Sequence, residues 1–404
     1  MNYLCLSFLK FMESVIKQKI DSIAKCIFAK VQESDFGLYT GDFGLLLFLF
    51  YYSRYSQKKK YAGQTERYAK RLLEQFIKGI QLHTFCSGLS GILYLFEFLR
   101  ENDFIDMDVS AAQPALDNYL VSRMRQNIQQ GYFDFMHGAL GVGLYFLKKG
   151  THPEYIRELI GFLYRTAEKN PDNLTFKWES VVLVNEENRN AYNLALSHGM
   201  SSIIIFLSRV IKAGICNERI IEMLSGAVNY VLQQEKDFSQ FGSCFPNYVL
   251  KDTPDSLSKS RMAWCYGDLG VGMALWQAGK VTEKTEWRNK GLEILLQSTK
   301  RKNPVETFVQ DAGICHGSAG IAMIFCRMYL ETNKDEFKEA TPYWIQQTLN
   351  FSCFEDGLVG YKTVEKDGMK QDYSLLGGIA GIGLELLTYL ENDPQNWDEL
   401  FLLS

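Results

Sequence analysis

The chain alternates between segments that are apolar on nearly every side and segments that carry one apolar stripe. A turn of the form x-G-x-x-G, followed by an apolar run, recurs seven times, at intervals from 47 residues (Gly41 to Gly88) to 68 residues (Gly199 to Gly267). The copies are TGDFGLLLFLF from Thr40, SGLSGILYLF from Ser87, HGALGVGLYFL from His137, HGMSSIIIFL from His198, YGDLGVGMALW from Tyr266, HGSAGIAMIF from His316 and GGIAGIGLELL from Gly377. Only the fourth copy lacks the second glycine, with Ser202 in its place. Such self-similarity indicates a repeat architecture.

Each repeat has room for two helices. The run after each glycine pair is apolar all round, as in a helix buried on every side. The stretches between motifs are amphipathic: between Tyr61 and Ile80, apolar residues follow the 3.6-residue helical period at Tyr68, Leu72, Leu73, Phe76, Ile77 and Ile80. We therefore predict an all-α protein, an α/α toroid with seven inner and seven outer helices. Residues 35–404 form the toroid, and residues 1–34 form a helical segment packed on it.

The glycines indicate how the inner helices begin. Two glycines three residues apart lie on one helix face, allow close approach of a neighbour and permit a tight turn. The residue before each first glycine should therefore lie at the N-terminus of an inner helix, with all seven at the same end of the barrel.

Two segments interrupt the helical pattern. Residues 174–185 (LTFKWESVVLVN) and 353–373 (CFEDGLVGYKTVEKDGMKQDY) are rich in strand formers and turn dipeptides. We interpret them as short β excursions beside the barrel that could hold a peptide leader. Ordinary long connections are the alternative.

Composition excludes several classes of protein. The 404 residues are 47% hydrophobic and 22% charged, which argues against disorder, and the net charge of −4 gives no reason to expect nucleic acid or an anionic membrane as a partner. The longest apolar run, Leu45 to Tyr52, is too short to span a bilayer, and the N-terminus lacks the basic region of a signal peptide. We expect a soluble, cytoplasmic protein with reduced cysteines. Six of them should be packed core thiols: Cys5, Cys26, Cys216, Cys244, Cys326 and Cys353.

The candidate chemistry concentrates at one register of the repeats. The two positions before each first glycine hold three of the five histidines and three of the nine cysteines, namely His137, His198, His316, Cys86, Cys265 and Cys315. Cys265, Cys315 and His316 lie in adjacent repeats. Two thiolates and an imidazole suit Zn²⁺, and three protein ligands leave a fourth position open. Two core cysteines and a capping histidine are the alternative.

Three segments carry a family resemblance. SRMAWCYGDLG (Ser260 to Gly270), ICHGSAGI (Ile314 to Ile321) and ALSHGM (Ala195 to Met200) resemble the hallmark motifs of lanthionine synthetase C-like (LanC) cyclases, also called lantibiotic cyclases. The resemblance spans about residues 35 to 390. It implies an α/α toroid and a Zn²⁺ cofactor held by Cys265, Cys315 and His316.

The same resemblance implies the catalytic positions. His198 matches a histidine that acts as acid or base, Asp134 matches an active-site aspartate, and Arg261 and Tyr266 match the remaining polar residues. From the residues alone, Asp134 could be a helix N-cap, Arg261 a surface charge and Tyr266 a barrel-lining aromatic. No role is implied for His137 and Cys86, which we interpret as a wall histidine and a packed thiol.

The resemblance implies a function. A LanC-like cyclase adds cysteine thiols to dehydroalanine or dehydrobutyrine in a precursor peptide and forms lanthionine or methyllanthionine thioether rings. In this interpretation Arg261 stabilises the enolate and His198, oriented by Asp134, protonates Cα. Such enzymes commonly work beside a dehydratase and an exporter, in a membrane-associated biosynthetic complex.

Three alternatives remain open. A LanC-like protein could use the same zinc site to add glutathione to dehydrated residues. A non-catalytic, peptide-binding toroid could hold zinc structurally, which would call for a fourth ligand such as Cys86 or His137. A glycosidase would need a carboxylate pair, for which Asp134 and Asp268 are the rim candidates.

Overall fold

Helices make up most of the chain. The computed structural model describes residues 3–30, 36–76, 82–106, 113–392 and 396–404. In chain order the helices are α1 (Tyr3–Phe28), α2 (Asp42–Ser56), α3 (Lys59–Phe76), α4 (Leu89–Glu101), α5 (Gln113–Gln129), α6 (Ala139–Lys149), α7 (Pro153–Thr166), α8 (Met200–Lys212), α9 (Glu218–Leu232), α10 (Phe238–Phe241), α11 (Asp268–Val281), α12 (Thr285–Ser298), α13 (Pro304–Thr307), α14 (Ser318–Thr332), α15 (Asp335–Asn350) and α16 (Ile379–Glu391), with a 3₁₀-helix at Trp397–Phe401.

Each of the seven glycine motifs starts a helix, as predicted. The first glycine is the N-cap residue in every copy, and the helices that follow are α2, α4, α6, α8, α11, α14 and α16. Their residues are buried almost without interruption, which explains why the sequence is apolar on all sides of these helices. The residue before each first glycine therefore lies at the N-terminus of a buried helix.

The amphipathic stretches form the accompanying helices. Helices α3, α7, α9, α12 and α15 pack on the motif helix that precedes them, whereas α5 packs on α6. The N-terminal helix α1 packs on α16 and so accompanies the last motif helix, which no amphipathic helix follows in the described residues. The amphipathic stretch between Tyr61 and Ile80 is described only in part, because Ile77 and Ile80 lie outside the described residues. The side chain of Cys5 also lies outside them.

The chain divides into two compact units. Unit 1 comprises Met1–Gln81 and Val309–Ser404, and unit 2 comprises Leu82–Phe308. In unit 1 the motif helices are ordered α14, α16, α2, so the first and last repeats of the chain are neighbours. In unit 2 the order is α4, α6, α8, α11, which follows the sequence.

Neighbouring repeats join through their motif turns. Cys86 N donates to Met136 O at 3.0 Å in unit 2, and Ile314 N donates to Leu376 O at the same distance in unit 1. A Cβ atom at Gly141 would lie 2.4 Å from the carbonyl oxygen of Phe135 and 2.7 Å from Cβ of Phe85 in the neighbouring turn. The second glycine of the motif thus permits the close approach that the sequence predicted.

Seven short strands form three small antiparallel sheets. The strands are β1 (Glu168–Asn170), β2 (Thr175–Lys177), β3 (Ser180–Val184), β4 (Glu187–Asn193), β5 (Tyr248–Leu250), β6 (Thr363–Glu365) and β7 (Gly368–Lys370). β1 pairs with β2, β6 pairs with β7, and β4 lies between β3 and β5. Both predicted β excursions are therefore confirmed. No helix in the described part of the chain is long and apolar enough to cross a membrane.

The expectation that six cysteines are packed core thiols is only partly correct. Cys244 and Cys326 are buried, but Cys26 is partly exposed, and Cys216 and Cys353 are exposed. The last two lie in connections, after α8 and after α15, and connections run over the surface where a thiol is not enclosed.

Candidate functional site

Unit 2 contains a cavity of about 440 Å³ at the register where the sequence concentrated its candidate residues. Motif turns of the third, fourth and fifth repeats form part of its wall, and strand β3 forms another part. Its lining comprises Gln130, Gly131, Tyr132, Phe133, Asp134, His137, Glu179, Ser180, Val181, Val182, Leu183, Asn193, His198 and Tyr266. Three of the four predicted catalytic residues therefore share one cavity.

Asp134 and His198 form a pair across two repeats. His198 Nδ1 lies 2.7 Å from Asp134 Oδ2, and the other carboxylate oxygen accepts the backbone N–H of His137, also at 2.7 Å. Helix α6 begins at Gly138 without a side-chain cap, so Asp134 is not its N-cap. The carboxylate instead fixes its own turn and orients the imidazole of the next repeat. This arrangement leaves Nε2 of His198 to exchange a proton with a molecule in the cavity.

Two histidines of the cavity have opposite electrostatic environments. Burial disfavours the charged form of His198, but the hydrogen bond and the charge of Asp134 outweigh burial and raise its pKa. The pKa of His137 is lowered, because its burial and the nearby charge of His198 outweigh the attraction of Asp134. The two rings stack, with centroids 5.9 Å apart. Both histidines line the cavity, and only the environment of His198 favours its charged form.

Tyr266 enters the cavity from the fifth repeat. Its ring centroid lies 6.5 Å from that of His198, and Asn193 Nδ2 approaches its hydroxyl oxygen at 3.5 Å. Gly267, which follows, has φ of 89°, and a Cβ there would lie 2.3 Å from the carbonyl oxygen of Arg261. This position therefore requires glycine, because other residues rarely adopt such a positive φ. The conformation of Gly267 also sets the direction of the preceding Cys265–Tyr266 segment.

Arg261 and Asp268 lie outside the lining of this cavity. The side chain of Arg261 is partly buried, and its proposed catalytic role stays a prediction. Asp268 is 1% exposed and accepts hydrogen bonds from the backbone N–H groups of Cys244 and Phe245 and from Arg301. A carboxylate bound in this way is not the rim partner of Asp134 that a glycosidase would need.

The predicted zinc ligands are divided between the units. In unit 2, Cys265 is buried, and its carbonyl accepts the N–H of Leu196 at 3.0 Å. In unit 1, His316 Nε2 lies 3.1 Å from Asp311 Oδ2, and Asp311 is 1% exposed. Among the described residues, no group of three His, Cys, Asp or Glu side chains is placed so that it could hold an ion.

The donor set nevertheless suits zinc. Two thiols and one imidazole are typical zinc ligands, and a histidine that binds zinc commonly donates its other ring N–H to a carboxylate. Asp311 holds one ring nitrogen of His316 and accepts the backbone N–H groups of Gly313 and Val364 at 3.0 and 2.9 Å.

Sequence reasoning missed several residues of the cavity. Asn193 is the last residue of β4 and gave no chemical signal, although it precedes His198 by only five residues. Val181 and Leu183 were assigned to a β excursion but not to the site. Residues 181–184 are apolar without interruption, which is a signal for a strand but does not tell which face is buried. Only the fold shows that this strand borders the cavity.

Comparison with known families identifies the chain. The family model described as Lanthionine synthetase C-like protein matches residues 32–402. The chain belongs to the lanthionine synthetase C-like family. This result confirms the resemblance found in the motifs around His198, Cys265 and Cys315.

Individual members of the family are distant relatives. The Nisin biosynthesis protein NisC of Lactococcus lactis subsp. lactis is 23% identical over 333 residues, which cover 76% of this chain and 78% of that protein. The Glutathione S-transferase LANCL1 of Danio rerio is 23% identical over 265 residues, covering 64% and 58%. The solved structure of Nisin cyclase matches 98% of each chain with a TM-score of 0.73 at 18% identity. The LanC-like chain thus has the α/α toroid fold that the repeats predicted.

Proposed function

We propose that this LanC-like protein is a zinc-dependent cyclase that adds cysteine thiols to dehydroalanine or dehydrobutyrine in a precursor peptide. The observation that carries the proposal is the His198–Asp134 pair in a cavity bordered by Tyr266, within a chain of the lanthionine synthetase C-like family. One relative is named for nisin biosynthesis, which is consistent with a peptide substrate.

Cys265, Cys315 and His316 would hold the zinc ion. Zinc supplies a Lewis acid that lowers the pKa of a substrate thiol toward neutrality. The buried carboxylate of Asp311 orients His316 for this role. The proposed site has three protein ligands, which leaves a position open to substrate, as catalytic zinc requires.

The protein's own residues complete the addition. The substrate sulfur forms a bond to the β-carbon of the dehydrated residue, and the former double bond becomes an enolate at the adjoining amide. His198, held at Nδ1 by Asp134, delivers a proton from Nε2 to Cα. Arg261 stabilises the negative charge of the enolate. The net change is addition of S–H across C=C, with no oxidant or reductant, and the product is a thioether ring.

A second candidate is addition of glutathione to dehydrated residues, which the name of the Danio rerio relative favours. The chemistry of the two reactions is shared, so the identity of the thiol decides between them. For cyclisation, a dehydratase would supply the unsaturated residues and an exporter would take the ring-bearing product.

The decisive experiment compares both thiols in one assay. Purified protein is incubated with a dehydrated peptide that contains free cysteine, with and without glutathione, and mass spectrometry counts the thiols that still react with an alkylating agent. Loss of reactive cysteine without a gain in mass supports cyclisation, whereas a gain of one glutathione supports the alternative. A peptide unchanged by either route contradicts an enzymatic role.

Substitution of His198 tests the proton-transfer role. We expect His198→Ala to lower ring formation by about 10²–10⁴-fold while zinc content stays unchanged. The same substitution at exposed His152, in unit 2 but outside the cavity lining, is the matched control. Full activity in His198→Ala would refute the role assigned to this histidine.

A further inference from the structure

The β3–β4 hairpin carries an apolar surface that the proposed chemistry does not use. We propose that the outer edge of β3 binds the peptide substrate as an added antiparallel strand, next to the dehydrated residue that reacts. This inference rests on the proposed function for the identity of the peptide. In this proposal, the peptide residues on either side of the reacting residue contact Val181, Leu183 and Tyr132.

The hairpin leaves one edge of β3 open. Among the described residues, the sheet has the order β3-β4-β5, so β3 has a paired strand on one side only. The hairpin turn consists of Asn185 and Glu186, with φ of 49° and 69°, and Val184 pairs with Glu187. In such two-residue turns with positive φ, the pair next to the turn is hydrogen-bonded and the pattern alternates from there. The N–H and C=O groups of Val181 and Leu183 therefore point outward.

The same two residues expose apolar side chains. Val181 is 61% exposed and Leu183 is 62% exposed, whereas Val182 between them is 7% exposed and packs with Ala191 and Leu250. Exposed valine and leucine at alternate positions of an edge strand invite pairing with another strand, and proteins normally protect such edges. The buried face anchors the strand, so it offers a preformed template.

The open edge continues into the cavity. Val181, Leu183 and the 44%-exposed Tyr132 all line the cavity that contains Asp134 and His198. Three of the nine large exposed hydrophobic residues in the described chain thus border one site. An extended peptide whose main chain pairs with β3 would place alternate apolar side chains on these residues and its reacting residue in the cavity. A folded protein surface fits less well, because an added strand must be extended and unpaired.

A binding assay without catalysis tests the proposal. The probe is a fluorescent peptide of the substrate sequence in which alanine replaces each dehydrated residue and serine replaces each cysteine, followed by fluorescence anisotropy. We expect the double variant Val181→Thr/Leu183→Thr to bind at least tenfold more weakly, because threonine keeps the strand but removes apolar contact. The matched control is Val305→Thr, at a 78%-exposed valine of the same unit that does not line the cavity. Equal binding by wild type and the double variant would overturn the proposal.

The proposed main-chain hydrogen bonds between the peptide and β3 allow a second test. Only every second residue of the peptide can form hydrogen bonds with the outward N–H and C=O groups of Val181 and Leu183. N-methylation of these peptide residues should weaken binding, whereas N-methylation of the residues between them should not. A loss of affinity at only one of the two alternating sets of peptide residues supports strand addition, whereas equal effects at both sets refute it. If binding depends on which set of residues is N-methylated but no thioether forms, the enzymatic role alone is refuted. Thioether formation with binding indifferent to β3 would refute this inference alone.

Discussion

At the scale of single residues, one carboxylate performs two tasks in the cavity. Asp134 accepts the N–H of His137 within its own turn and holds Nδ1 of His198 in the next repeat. The first contact is local and forms with the turn, whereas the second depends on packing of two repeats. In the proposed mechanism Asp134 is therefore a positioning residue that acts through His198.

We expect Asp134→Asn to reduce ring formation roughly 100-fold, because a misplaced catalytic group costs about that much. The neutral side chain can still accept the N–H of His137, so the turn should persist. Zinc content, thermal unfolding and thiol consumption would be measured together. Asp172→Asn, in an exposed turn of the same unit, is the control. A large fall in melting temperature would point to a structural role instead.

Glu385 of α16 is a buried carboxyl outside the site. It is fully buried, and neither carboxyl oxygen has a hydrogen-bond partner in the described residues. Burial, and then the nearby charge of Asp398, raise its pKa well above the ordinary value. Asp398 itself is paired with Arg327. Glu385 is therefore protonated in the folded protein at pH values where it is ionised in the unfolded chain.

This difference predicts a pH-dependent stability. As pH rises above about 4.3, the ordinary value for Glu, the unfolded state loses the proton first, so the free energy of unfolding falls by up to about 1.4 kcal/mol per pH unit. The decline ends when pH passes the folded-state pKa. We expect Glu385→Gln to gain stability relative to wild type as pH rises from 5 to 8, measured by urea denaturation. The control is Glu336→Gln at an exposed position. A constant difference across this range would contradict the assignment.

At the scale of elements, the start of α11 is fastened to the loops around it. Arg301 Nη1 donates to Asp268 Oδ2 at 3.1 Å, and Nη2 donates to the carbonyl oxygens of Ser260 and Glu306 at 2.9 and 3.1 Å. Asp268 also binds the backbone of Cys244 and Phe245. One ion pair therefore ties together three segments next to Cys265 and Tyr266.

We expect Arg301→Met to lower the free energy of unfolding by about 3–5 kcal/mol, because it leaves Asp268 buried and unpaired. Chemical denaturation would measure the loss. Arg189→Met, which breaks an exposed pair with Asp252, should cost only about 0–1 kcal/mol. If the two substitutions lower the free energy of unfolding by similar amounts, the buried pair contributes no more to stability than the exposed pair.

At the scale of the whole molecule, a bound metal ion would couple to the stability of the folded chain. A ligand that binds only the folded chain stabilises it by an amount that grows with its concentration. Zinc bound by the proposed ligands should therefore raise the melting temperature of the folded chain.

We expect a chelator to lower the melting temperature of the wild-type protein, and added zinc to restore it. Cys315→Ala should contain less than the one zinc per chain expected of wild type, and its melting temperature should not respond to the chelator. His152→Ala serves as the control and should behave as wild type. Elemental analysis and calorimetry supply the two readouts. Wild-type protein prepared without chelators that holds no zinc would contradict the metal site.

The sequence by itself determined the repeats, the buried helices and the starting point of each helix. These features depend on hydrophobic period and on glycine, which act over a few residues and can be read directly from the chain. The motifs around His198, Cys265 and Cys315 also determined the family, because they combine rare residues at a fixed register.

Only the tertiary structure decided which residues share a site. His198 meets Asp134 across 64 residues of sequence, and strand β3 joins the same cavity from a segment that carried no chemical signal. It also showed that Asp268 is buried against Arg301 and that Cys216 and Cys353 are exposed. The physical reason is that periodicity fixes which face of an element is buried, but not which elements pack together. Contacts between repeats depend on the packing of whole helices and loops, which no local pattern encodes.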